Sequence, residues 1–164
     1  MPNLPDSLSN TFQMFTSSSV SGAVKSLPSS LTNVDAMFRE TKITSIPSTL
    51  PSGLTNGYQM FYICSNLSGT IPTLPASLEN AENIFARTNL SGTAPKFSSM
   101  TNLTDYCSAF EKESTNTGTI ANNSTSSWPY SAWLSSCEKQ DCATGALLFT
   151  DGIYSFKLCS RILD

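Results

Sequence analysis

The sequence predicts an α/β repeat fold: a right-handed solenoid of short parallel strands and short helices, ending in a C-terminal cap with a β-hairpin. Three columns of residues carry that prediction. Phe recurs at Phe15, Phe38, Phe61 and Phe85, in steps of 23, 23 and 24 residues. Asn runs in phase with it at Asn10, Asn33, Asn56 and Asn80, and a Leu stands two residues before each Asn. A third block, such as "LSGTI" from Leu67, follows each Phe and is closed by a Pro.

Each element follows from local spacing. In "LSGTI", Leu67, Gly69 and Ile71 alternate with Ser68 and Thr70, the pattern of a short strand with one buried side. Leu31, Val34 and Phe38 fall at i, i+3 and i+7, which predicts one or two helical turns before each Phe. The Pro residues stop ladder pairing after the strand. One strand and one short helix cannot bury their apolar sides alone, so neighbouring copies must stack, with parallel strands ~4.8 Å apart. Parallel strands joined by a crossover favour a right-handed path.

A fifth copy is expected in "MTNLTDYCSAF" from Met100, where Asn102 continues the Asn column. Counting on from it puts Cys107 in the aromatic column, with Phe110 three residues later, so this copy is either degenerate or carries an insertion. Residues 1–120 are thus expected to form a solenoid of about five repeats, and residues 121–164 a C-terminal cap or docking element.

That C-terminal segment changes character. "TIANNSTSSWPY" has the composition of a loop, and "SAWLSSCEKQDC" that of a short helix. Residues 146–158 are two apolar runs across Asp151-Gly152, a hairpin signal. Trp128, Trp133, Leu147, Phe149, Tyr154 and Phe156 are the candidate docking residues of this tail, if it anchors the chain to a larger assembly instead of only covering the solenoid.

Composition narrows the function. The 164 residues contain no His, which removes His-based nucleophile pairs, His general bases and His-ligated zinc. The net charge of −3, with nine scattered Lys and Arg, offers no footprint for nucleic acid. No apolar run reaches the ~20 residues of a membrane helix, and no cofactor motif is present. The first ten residues lack the basic and apolar regions of a signal peptide. The carboxylates at Asp35 and Glu40, or Glu79 and Glu82, read as solvated charges and not as a hydrolytic pair.

Of five cysteines, Cys64 and Cys107 read as small packed apolar groups. Cys137 or Cys142 with Cys159 could form one disulfide in the tail, the alternative being thiols throughout. The outward strand positions Ser21, Thr44, Ser68, Thr70, Ser91 and Thr93 form the candidate binding face. It is small and neutral, without the Trp, Tyr and Arg that dominate protein hot spots. The Asn-x-Ser/Thr triplets at Asn66, Asn89 and Asn102 recur because the repeat recurs. The Asn column itself reads as structural, satisfying backbone groups at a turn.

Residues 46–72, "IPSTLPSGLTNGYQMFYICSNLSGTIP", resemble the BspA-type bacterial leucine-rich repeat: a step of about 23 residues, a Pro after the strand, an "MF" before the strand, and Cys64 three residues past Phe61. The resemblance spans residues 4–120. It implies a β/α solenoid in secreted, cell-surface or phage-associated proteins that bind other proteins or host surfaces. The expected function is therefore non-catalytic attachment to a protein or surface glycoconjugate, outside the cell or at its surface. The alternative is a structural subunit of a virion or extracellular filament, anchored through the tail.

Overall fold

The computed structural model describes residues 4–121 and 128–133. They are mostly irregular coil and turns, with short parallel strands in two small sheets. One sheet pairs β1 (Ser21–Ala23) with β2 (Lys42–Ser45); the other runs β3 (Ser68–Thr70), β4 (Asn89–Thr93), β5 (Ile120–Ala121). Two 3₁₀ turns, Phe97–Ser99 and Tyr130–Trp133, are the only helical pieces among the described residues. The hairpin expected over residues 146–158 lies outside the described residues, as do Leu147, Phe149, Tyr154 and Phe156.

The short helices expected before each Phe are absent among the described residues, because the backbone bonds run between copies. In the second copy the N–H groups of Val34, Ala36, Phe38 and Glu40 donate to the carbonyls of Asn56, Tyr58, Met60 and Tyr62 in the third. The third copy donates to the fourth in the same way, from Gly57, Gln59, Phe61 and Ile63 to Asn80, Glu82, Ile84 and Ala86. The intervening amides close tight turns inside a copy, as Met37 to Val34 and Arg39 to Ala36. This alternation needs left-handed backbone three and seven residues after the column Asn: Ala36 (φ 48°) and Glu40 (φ 56°), Gln59 (φ 50°) and Ile63 (φ 58°), Asn83 (φ 56°) and Arg87 (φ 58°). An α-helix admits none of these angles.

The Asn column completes the accounting. The amide two residues after each Asn is used by neither ladder nor turn, and the Asn side chain takes it. Asn33 Oδ1 accepts from the N–H of Asp35, Asn56 Oδ1 from Tyr58 and Asn80 Oδ1 from Glu82. Every backbone donor of the turn is thus met, as burial demands. Asn56→Ala strands the Tyr58 N–H and should cost about 1–3 kcal/mol in a urea melt; a cost near zero would mean that water replaces the side chain.

The Asn column continues at Asp105, not Asn102: parallel bridges link Asn10, Asn33, Asn56, Asn80 and Asp105 in turn. The fifth copy therefore reads "LTDYCSAF" over residues 103–110, and Phe110 stands in the aromatic column. Its ring stacks on Phe85 at 6.3 Å, extending the pairs Phe15–Phe38, Phe38–Phe61 and Phe61–Phe85 at 5.5, 5.7 and 5.8 Å. Around this file lie the fully buried Leu31, Leu54 and Leu78 and the residues before each inner Phe: Met37, Met60, Ile84 and Ala109.

The strand glycines serve the backbone and not close packing. Gly22, Gly69 and Gly92 have φ of 82°, 107° and 120°, and a side chain on Gly69 would meet nothing within 4 Å. All of β3 is exposed; Leu67, just before it, is the buried rung. The break between the sheets has a local cause. Ile43 follows Phe38 by five residues and Leu90 follows Phe85 by five, whereas Leu67 follows Phe61 by six. The extra residue makes a turn in which Leu67 N–H donates to its own copy's Cys64 carbonyl, and β3 does not pair with β2.

Candidate functional site

The strands place all six residues of the candidate binding face, Ser21, Thr44, Ser68, Thr70, Ser91 and Thr93, in solvent. They come from both sheets, and β1–β2 and β3–β4 hold them in parallel register, Ser68 beside Asn89 and Thr70 beside Ser91. Their hydroxyls offer single polar contacts and no large apolar area.

A second surface, which sequence reasoning missed, is built by the turns. Tyr62 lies one residue past its column Phe, and the guanidiniums of Arg39 and Arg87, from the copies on either side, sit 5.6 and 5.5 Å from its ring centroid. A ring between two cations is a stiff arrangement, each contact worth roughly 0.5–1 kcal/mol at an exposed site. Carboxylates close the group. Glu40 pairs with Arg39 at 3.0 Å, and Arg87 bridges Glu111 and Glu113 at 3.3 and 2.7 Å. Hydrogen bonds from Ser17 and Arg39 hold the Glu40 carboxyl below its ordinary range. Burial pushes Glu111 up, against the pull of Arg87.

Next to this group lies Tyr58, with Asp35 and Glu82 in the same column of the neighbouring copies. Burial first, and then the nearby Glu82 and Asp35 charges, push its phenol above the ordinary value. The signal for this surface was present only across copies. Asp35, Tyr58 and Glu82 each follow a column Asn by two residues, and Arg39 and Tyr62 each follow a column Phe by one.

The described part of the tail packs on the last copy. Trp128 is buried, 4.8 Å from the Phe110 ring and 5.1 Å from Phe97, and its indole N–H donates to the Pro95 carbonyl at 2.7 Å. Trp133 is half-buried beside Phe110 at 5.1 Å. The ladder continues into this segment, since Ser108 and Phe110 donate to the carbonyls of Ser131 and Ala132. These two tryptophans are thus engaged within the chain itself.

The cysteines divide. Cys64 is a buried free thiol whose Sγ contacts the Phe38 carbonyl and the Thr41 hydroxyl; burial raises its pKa and keeps it unreactive. Cys107, read from sequence as a packed thiol, is instead disulfide-bonded. Among the described residues no group of three acidic or sulfur side chains gathers to hold a metal ion, and no helix is long and apolar enough to cross a membrane.

Lys112 is half-buried, and its Nζ donates to the carbonyls of Thr88 and Leu90 in the copy before. Burial lowers its pKa from 10.5 to about 8. Between those values the unfolded chain holds the extra proton, so the contribution of Lys112 to stability should rise as pH climbs from about 8 toward 10.5. The difference in urea midpoint between the parent and Lys112→Met should shift in favour of the parent across that range.

No family model, no curated protein and no solved structure matches this chain.

Proposed function

We propose that this chain is a non-catalytic, leucine-rich-repeat-like solenoid module that attaches to a protein or surface glycoconjugate outside the cell. The observation that carries the reading is the ladder. Five copies, the first four donating alternate amides to the next and each of the five adding one ring to a single file, are what a stacked repeat array requires. Such arrays present long, regular surfaces, and their common use is binding. The half-cystine at Cys107 fits an oxidising compartment.

Within that reading the turn surface suits recognition better than the strand face. Tyr58, Tyr62, Arg39 and Arg87 are the residue types that concentrate binding energy, whereas the strand face offers Ser and Thr. Titrating labelled protein onto intact cells and onto arrays of immobilised glycans and extracellular proteins tests both points. Tyr62→Ala should weaken saturable binding about tenfold or more, and Thr44→Glu should leave it nearly unchanged. The reverse pattern would move recognition to the strand face. Turnover of any substrate, abolished by an Asp or Glu substitution, would overturn the non-catalytic reading.

A further inference from the structure

We propose that Asn66 is a site of N-linked glycosylation, selected by the fold over a second copy of the same local sequence. "NLSGT" stands twice in the chain, from Asn66 and from Asn89, and each copy carries the Asn-x-Ser triplet of an N-glycan acceptor. A third triplet runs from Asn102 to Thr104. Sequence does not separate the first two sites, but their surroundings do.

Asn89 is half-buried and opens β4, the central strand of its sheet, with β3 on one side and β5 on the other. Both ends of its amide are taken. Nδ2 donates to the Ser65 carbonyl at 2.6 Å, and Oδ1 accepts from the Thr117 N–H at 2.8 Å. The hydroxyl of the same triplet, Ser91 Oγ, accepts from the Thr119 N–H. Asn102 is exposed, yet its Nδ2 donates to the Ala76 carbonyl, and the Thr104 hydroxyl lies within hydrogen-bond distance of the Glu79 carbonyl and the Asp105 carboxylate.

Asn66 differs on each of these points. It is exposed, in the turn made by the extra residue between Phe61 and Leu67, which the Leu67 N–H closes onto the Cys64 carbonyl. Ser68 is exposed and begins β3, an outer strand that pairs on one side only among the described residues. Neither the Asn66 amide nor the Ser68 hydroxyl makes a hydrogen bond among the described residues. The buried Leu67 anchors the triplet between them. An acceptor amide must be reachable and must release a proton, and of the three triplets this one has both its amide and its hydroxyl free.

The co-substrate is a sugar carried on a diphosphate, on either a nucleoside or a polyprenol. Asn66 Nδ2 bonds to the sugar C1 while the C1–oxygen bond to the diphosphate breaks. The diphosphate leaves with the electron pair, and the amide proton passes to a base of the transferase. The added glycan stands at the start of β3, beside Ser68 and Thr70, and crowds the strand face. The inference rests on the triplets and not on what the turn surface binds, so either can fail without the other.

The test gives the folded, intact chain to two transferases. One is a soluble N-glycosyltransferase with UDP-glucose, the other a single-subunit oligosaccharyltransferase with a polyprenyl-diphosphate oligosaccharide; the faster arm identifies the donor. Peptide mapping by mass spectrometry reads each Asn separately, including Asn122 and Asn123, whose triplets lie outside the described residues. Asn66 should be modified about tenfold or more faster than Asn89, whose amide is released only by local opening of the sheet. The free peptides SNLSGTIP and TNLSGTAP, residues 65–72 and 88–95, should be modified within about threefold of each other. Asn66→Gln should abolish the modification while melting like the parent, since the side chain is exposed. No transfer to Asn66 in either arm, or transfer to Asn89 at the same rate, would overturn the proposal. Peptides that differ as much as the folded sites do would overturn selection by the fold.

Discussion

Phe61→Ala is expected to destabilise the chain by about 3–5 kcal/mol, the range for removing a fully buried aromatic ring. Phe61 stands third in the file, with its ring 5.7 Å from Phe38 and 5.8 Å from Phe85, and within 6° of parallel to both. Its removal takes away two ring contacts and leaves a gap that Leu54 and Met60, already fully buried, cannot fill without opening gaps of their own. The backbone ladder meets at the same place, since Phe61 N–H donates to Ile84 and Met60 accepts from Phe38. Chemical denaturation followed by tyrosine and tryptophan fluorescence measures the loss. A change below about 1 kcal/mol would mean that the ring file is not the core. Phe15→Ala should cost much less, because that ring is only half-buried and stacked on one side.

Gly118→Ala should cost about 3 kcal/mol, the upper end of the range for overpacking, and should unpair β5 from β4. A methyl group at this position would run into the carbonyls of Asn89 and Leu90. Those are backbone atoms of the neighbouring strand and cannot swing aside as a side chain can. The pairing of Gly92 with Ile120 and Thr93 with Ala121 depends on this close approach. Amide exchange reads it directly: Gly92 N–H donates to Thr119 and Ala94 N–H to Ala121. Both amides should lose protection in the variant, while the amides of Phe38 and Phe61 keep theirs. Retained protection at Gly92 would show that the methyl group is accommodated without separating the strands.

The aromatic and Asn columns were legible because a repeat writes the same constraint several times. Phe38, Phe61 and Phe85 announce a shared core, and Asn33, Asn56 and Asn80 a shared turn. The path of the chain between the columns was not legible. Leu31, Val34 and Phe38 have helical spacing, but the same residues face one way on a chain of tight turns, and spacing does not record where the amides donate. Left-handed backbone at Ala36, Gln59 and Ile63 is marked by no Gly, so nothing in the letters warned of it. The fifth copy was misaligned because extra residues lengthen its step to 25 and Asp105 replaces Asn in its column. The same substitution hid Phe110, which the stacking restores to the file. The Arg39, Tyr62 and Arg87 group joins three copies and belongs to no local motif. The disulfide at Cys107 was missed because its local sequence reads as that of a packed thiol.

The ladder also sets how the length of such a chain can change. A copy inserted or removed whole leaves each neighbour facing a surface equivalent to the one it lost, so the bonding pattern closes again. A single residue does not have that freedom. The one extra residue between Phe61 and Leu67 is enough to end one sheet and begin another. Growth in whole copies is structurally near neutral, whereas growth by single residues is recorded as a break. Descendants of this chain should therefore differ by steps of about 23 residues, with smaller increments held to the irregular segments on either side of the strand.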